Sequence, residues 1–264
     1  MTAPPNEGYP LRHVERLHSV AVSLQDDSPE ARRAMIEHII ESPWLRQVGP
    51  DLLALVLSLL MVGAYYGYLR IRLRRDPTYS IHYVNDTARR LWVHSVMANP
   101  AKDVMAVQTL RNFIMIGILM VSTVTLLVIG TLTLSGQAEN MSRSWHAANL
   151  FGPASAEVWS FKVLCLLADF IVAFFAFTLS LRLANHVLFM INVPAELRDA
   201  MDALSPEAVS RRLNRAAYMI SIGIRALFAA VPLVFWLFGP IFLVVGTLGL
   251  LIALFRLDRN QMIV

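Results

Sequence analysis

Lysine is almost absent from this chain: only Lys102 and Lys162 occur, and the rest of the 23 basic residues are arginine. Cysteine appears once, at Cys165, so no intrachain disulfide can form and the redox compartment cannot be read from thiols. Charge is sparse, with 16% Asp, Glu, Lys and Arg against the roughly 25% of a soluble domain. The first twenty residues hold no apolar stretch of signal-peptide length, so no cleaved signal is expected. There is no CxxC, no HExxH, and no pair of histidines at ligand spacing, since His82, His94, His146 and His186 are scattered. No intrinsic metal or other cofactor is expected. Glycine-rich phosphate loops, nucleophile elbows and paired catalytic carboxylates are missing as well, which points away from an enzyme.

What the chain has instead is apolar length. Hydrophobic residues make up 56% of its 264 positions, and the mean hydropathy is +0.53. They gather in four runs, at about 52–69, 113–134, 158–181 and 226–255. A membrane-spanning helix takes about 20 apolar residues. The expected fold class is therefore an all-α membrane protein: a four-transmembrane-helix bundle with amphipathic interfacial helices. The last run is about 30 residues long, too short for two full spans with a turn at about 20 residues each. One tilted helix kinked at Pro232 and Pro240 is the expectation; a re-entrant hairpin around Phe238-Gly239-Pro240 is the alternative.

Basic residues sort the loops. Those before the first run are outnumbered by acids; Arg70 to Arg111 and Arg182 to Arg225 are the basic connections, and the connection between them carries only Arg143. The positive-inside rule turns the two basic connections to the cytoplasm and sends both termini of a four-span chain to the other side. The net charge of +4 then suits anionic lipid rather than nucleic acid. Because no organelle signal is visible, a bacterial plasma (inner) membrane or an intracytoplasmic extension of it is the expected location.

Three polar-facing segments read as helices. Within the tail 1–49, Asp27-Ser28-Pro29-Glu30 starts one whose apolar face is Ala31, Met35, Ile36, Ile39 and Ile40, with Pro43 as its end. Asn85 or Asp86 opens a second, with Ala88, Leu91, Trp92 and Met97 on one side and Arg89 and Arg90 at phosphate level; Asn99-Pro100 ends it. Ser205-Pro206-Glu207 starts a third, which feeds into the last run with Arg211, Arg212 and Arg215 on its basic side. Residues 50–258 make the membrane domain and 259–264 a short tail.

Polar residues at membrane depth are the candidate sites. Lys162 and Asp169 are seven apart, two turns, and share a helix face with Cys165 between them. They read as a structural charge pair, as an Asp bonded to a neighbouring helix, or as a proton or cation site. Ser122, Thr123, Thr125, Thr131 and Thr133 in the second run read as packing hydroxyls. Gly117 and Gly130 read as close-approach positions. A third cluster gathers at the expected cytoplasmic edge: Gln108, Arg111 and Asn112 entering the second run, Arg182 and Asn185 leaving the third, and Arg225 entering the fourth. Such a set can bind lipid phosphate, an anionic solute or helix-end carbonyls.

The stretches Ala88-Arg89-Arg90-Leu91-Trp92-Val93, Ala106-Val107-Gln108-Thr109-Leu110-Arg111-Asn112, Ser180-Leu181-Arg182 with Asn185, and Arg225 followed by Pro232 and Trp236-Leu237-Phe238-Gly239-Pro240 resemble the membrane family called domain of unknown function 599. The resemblance runs from residue 50 to about 258. It implies four spans and a motif set at Gln108, Arg111, Asn112, Arg182, Asn185 and Arg225, and it implies no activity. The reading adopted from the sequence is a homo-oligomeric structural or accessory assembly, with membrane lipids and further copies as partners and another membrane protein as an optional one. The alternative is a homo-oligomeric channel or transporter for an ion or small polar solute.

Overall fold

The computed structural model describes residues 43–76, 81–136, 156–198 and 201–258. Every regular element among them is helical: α1 Pro43–Arg75, α2 Ile81–Met97, α3 Asp103–Gly136, α4 Ala156–Met190, α5 Ala195–Arg198, α6 Pro206–Trp236 and α7 Pro240–Asp258, with 3-10 turns at Pro100–Lys102 and Asp202–Leu204. The chain divides into a unit of residues 1–49 and a unit of residues 50–264. The amphipathic helix expected in the tail lies outside the described residues. Pro43, expected to end it, is instead the first residue of α1, where a missing N–H costs nothing and a fixed φ suits the helix.

Helix α2 begins at Ile81, so Asn85 and Asp86, expected to open it, lie inside it instead. Its end at Asn99-Pro100 and the start of α6 at Ser205 fall where the sequence put them, each set by local chemistry. Asn99 is extended and its Oδ1 accepts from Ala101 N at 3.1 Å, which caps the turn that runs straight into α3. Ser205 caps α6: its Oγ accepts from Ala208 N at 3.3 Å, and Pro206 takes the first helical position.

Five helical stretches are long and apolar enough to cross a membrane, judged by length and composition only: Val48–Arg75, Pro100–Gly136, Glu157–Met190, Pro206–Trp236 and Pro240–Asp258. Four were expected. The difference lies in the last apolar run, which is neither one kinked helix nor a short re-entrant loop. Helix α6 starts twenty residues before that run, carries Pro232 inside it, and stops at Trp236. The chain then turns through Leu237, Phe238 and Gly239, whose φ of 148° suits glycine alone, and α7 begins at Pro240. The amphipathic start of α6 supplied the length that the run by itself lacked.

Helix α4 is central, packed between α3 and α6, while α7 and α2 lie against α6. Three apolar clusters stack along the bundle. Val93, Val96 and Met97 of α2 meet Ala106 and Leu110 of α3, Val187 and Met190 of α4, and Val209 and Leu213 of α6. In the middle, Val124 of α3, Phe170, Ala173 and Phe177 of α4, and Ala226 and Ala230 of α6 interlock. Ala54 of α1, Trp236 of α6 and Leu243 of α7 form the third, with Cys165 of α4 packed on it. Outside these clusters large apolar side chains face outward, among them Leu59, Leu126, Phe175 and Phe189. In water so many would be an aggregation hazard; against lipid they are ordinary.

Candidate functional site

Two ionic clusters occupy the two ends of the interior. At the Trp236 end, Lys162 Nζ lies 2.7 Å from Asp51 Oδ1, and the indole Nε1 of Trp236 donates to the same oxygen at 2.8 Å. Lys162 also sits 5.5 Å from the Trp236 ring centroid. The lysine is only 3% exposed, so an unpaired ammonium there would be very costly, and the carboxylate and ring together compensate it. Lys162 therefore does not pair with Asp169, its neighbour on the same helix face. Its partner comes from α1.

At the opposite end, Asp258, the last residue of α7, is buried and receives two donors. Arg225 Nη2 donates to Oδ1 at 2.6 Å, and the Tyr65 hydroxyl donates to Oδ2 at 2.8 Å. Arg225 Nη2 also lies 2.9 Å from His82 Nε2, its Nη1 donates to the Tyr66 hydroxyl at 3.4 Å, and its guanidinium carbon stands 5.8 Å from the Tyr66 ring centroid. A charge-assisted bond at this distance is stronger than a neutral one. The cluster joins α1, α2, α6 and α7.

Between the clusters lies an uncompensated layer. Asp51 and Lys162 touch, and Ala54 and Cys165, one turn further along each helix, meet in the same apolar cluster, so α1 and α4 run parallel. Seven residues beyond the ion pair come Ser58 on α1 and Asp169 on α4, about 10 Å deeper at 1.5 Å per residue. Ser58 Oγ and Asp169 Oδ2 are both enclosed, and neither has a hydrogen-bond partner among the described residues. Thr247 on α7 lies one turn beyond Leu243 and is also buried, but its Oγ1 donates to Leu243 O at 2.8 Å. A further seven residues along α1 reaches Tyr65. Asp51, Ser58 and Tyr65, spaced about two turns apart, thus form a stripe that links the two ends.

The α3 and α4 members of the expected edge cluster share one level. A Cβ on Gly117 would meet Leu181 Cδ2 at 2.5 Å, so the residues just before Gly117 and just after Leu181 are neighbours across the pair. Gln108, Arg111, Asn112, Arg182 and Asn185 are all exposed, and none has a side-chain hydrogen bond or ion pair among the described residues. Arg225 is not with them: it turns inward to Asp258. Arg89, expected at phosphate level, is half-exposed and bound to the protein itself, where its Nε donates to Asn214 Oδ1 at 2.7 Å and its Nη2 pairs with Asp86. The hydroxyls of Thr123, Thr125, Thr131 and Thr133 each donate to the carbonyl four residues back, as packing hydroxyls do.

Sequence reasoning missed Asp51, Ser58, Tyr65, Tyr66, His82 and Asp258 as members of these clusters. The 51-58-65 spacing was a visible signal for the first and last of the α1 stripe. Nothing local announced that Asp258 would meet Arg225. Among the described residues, no three His, Cys, Asp or Glu side chains are placed to hold a metal ion. A family model described as "Protein of unknown function, DUF599" matches residues 53–263. No curated protein and no solved structure matches.

Proposed function

The chain belongs to the DUF599 family, a membership that brings no activity with it, and we propose from the geometry that it is a multi-pass membrane protein that carries protons through its helical bundle. One observation carries this reading: the enclosed, unpartnered carboxylate oxygen of Asp169 in the middle of α4, flanked by an ionic cluster on either side. Structural carboxylates in a membrane are paired, as Asp51 and Asp258 are; one kept without a partner marks an ion path or a proton relay. A proton fits better than a metal ion. One carboxylate and one hydroxyl are too few oxygen ligands for a bare cation. Asp169 then accepts a proton arriving from one cluster and releases it towards the other. The gaps of about 10 Å exceed one hydrogen bond, so water must join the chain during transfer, drawn in beside Ser58 as α1 loosens.

Five crossings and inward-facing basic connections give the topology of this proposal. Residues before α1 lie outside, and the end of α7 lies in the cytoplasm of a bacterial cell, in place of the two external termini expected from four spans. The test is proton flux into vesicles that hold a pH-sensitive dye and the purified protein. The expected result is acidification well above that of empty vesicles, lost in Asp169→Asn and kept in Asp169→Glu, with both variants melting like the parent. Parent flux no faster than that of empty vesicles, or full flux in Asp169→Asn, overturns it.

A second reading, homo-oligomeric assembly without transport, is favoured by the outward polar face of Gln108, Arg111, Asn112, Arg182 and Asn185. Polar side chains on a bundle surface at membrane depth gain by meeting the same face of another copy. Native mass spectrometry of the gently released protein decides it: a closed set of identical subunits that falls apart in Arg111→Ala/Asn112→Ala supports assembly through this face, and a monomer sinks it.

A further inference from the structure

Three arginines crowd the start of α6, and none of them is paired with a carboxylate among the described residues. Arg211, Arg212 and Arg215 line a cleft of about 530 Å³ together with Asp202, Ala203 and Ala208. None of the three guanidinium groups makes an ion pair among the described residues, Asp202 included. The one hydrogen bond among them runs from Arg212 Nη1 to Met190 Sδ at 2.8 Å, and a thioether is a weak acceptor that leaves most of that guanidinium's donors unused. Arg89, half-exposed on α2, is by contrast held by Asp86 and Asn214. Three like charges within five residues repel one another, and a cleft between them concentrates their field.

The surroundings of the cleft say what kind of anion would enter. Arg215 is followed at once by the buried Ala216, where α6 passes from its charged start into the apolar bundle. Tyr218, three residues after Arg215 and so on the same side, is exposed, as an amphipathic ring at a membrane surface is. Leu197 and Met201, on the segment leading to Asp202, are exposed apolar side chains. Guanidinium groups beside outward-turned apolar and tyrosine side chains match a headgroup phosphate beside its acyl chains.

We infer that the cleft of Arg211, Arg212 and Arg215 binds a phosphate group, carried by an anionic phospholipid of the membrane in which the protein sits. The site is separate from the Asp169 layer and holds whether or not protons move.

The test uses the full-length protein and phosphatidylglycerol. Native mass spectrometry counts the lipid retained from mixed phosphatidylglycerol and phosphatidylcholine micelles, and a titration gives the apparent affinity. The combined variant Arg211→Gln/Arg212→Gln/Arg215→Gln should bind phosphatidylglycerol roughly a hundredfold more weakly, from about a fivefold effect per cation. Its control, Arg70→Gln/Arg74→Gln/Arg75→Gln, removes as many exposed charges from the end of α1 and should bind as the parent does. Equal retention by the cleft variant and the parent, or equal losses in both variants, overturns the site. Inorganic phosphate is the second arm. Failure to displace the lipid at millimolar concentration supports a lipid source; displacement of the lipid, together with phosphate binding that the cleft variant loses, overturns that source and leaves a free anion as the ligand.

Discussion

Gly117, Gly130 and Gly223 look alike in the sequence, each a small residue in an apolar helix, yet they meet different neighbours. A Cβ on Gly223 would sit 2.6–2.8 Å from three atoms of the Phe177 ring, a side chain fully enclosed in the central cluster. The ring has nowhere to go, so Gly223→Ala should cost about 1–3 kcal/mol, as overpacking does. At Gly117 the obstacle is the methyl end of Leu181, which is only half-buried and can change rotamer, so Gly117→Ala should cost less. Around Gly130 nothing lies within 4 Å, and Gly130→Ala should leave melting in detergent unchanged. Thermal unfolding of the three variants checks the order, and a Gly223→Ala protein that melts with the parent contradicts the packing described. The Asp51 and Lys162 pair makes a second residue-scale case. Asp51→Asn alone strands a buried ammonium and should cost about 3–5 kcal/mol, the scale for half-broken buried ion pairs. The double variant Asp51→Asn/Lys162→Met removes both charges and keeps an amide oxygen for the Trp236 N–H. It should recover most of the loss in the same melting experiment.

Helix α1 is held differently from the others. Helices α3, α4, α6 and α7 interlock through broad apolar faces, whereas α1 is tied near its beginning by Asp51 to Lys162 and Trp236, and near its end by Tyr65 to Asp258 and Tyr66 to Arg225. Its middle turns outward large side chains such as Leu59 and Leu60 and leaves Ser58 without a partner. An element with few buried apolar contacts opens at lower free energy than the core. Asp258→Asn removes the charge that holds both Tyr65 and Arg225, so amide hydrogen exchange should quicken in the second half of α1 and the last turns of α7, with α4 unaffected. Uniformly faster exchange would show instead that α1 unfolds only with the whole bundle.

For the whole molecule the decisive number is the count of crossings. With five, the end of α7 shares a side with the basic connections, which agrees with the company Asp258 keeps: His82 of α2, the helix of the first basic connection, is 3.7 Å from it. Single cysteines placed at residues 80, 144 and 262 of a Cys165→Ser protein test this with a membrane-impermeant maleimide on intact cells. Only the residue 144 variant should be labelled. Labelling of the residue 262 variant from outside would restore a four-crossing chain.

Much of this could be read along the chain, because the signals involved are local. Apolar length marked the membrane class; Asn99-Pro100 marked a helix end and Ser205 a helix start; the 3.6-residue period placed Lys162 and Asp169 on one face; the quoted motifs marked the family. None of these depends on a distant residue. Which helix face meets which other face is set by packing between segments over a hundred residues apart, and the local pattern is silent about it. Hence Lys162 looked like a partner for Asp169, although two turns of one helix, about 10 Å, separate them and a residue from α1 lies within reach. Hence too Arg225 looked like an edge residue, although Asp258 draws it inward. The split of the last apolar run belongs with these. Its length alone permitted one helix, and only the continuation of α6 from Pro206, with a glycine turn before Pro240, made room for two.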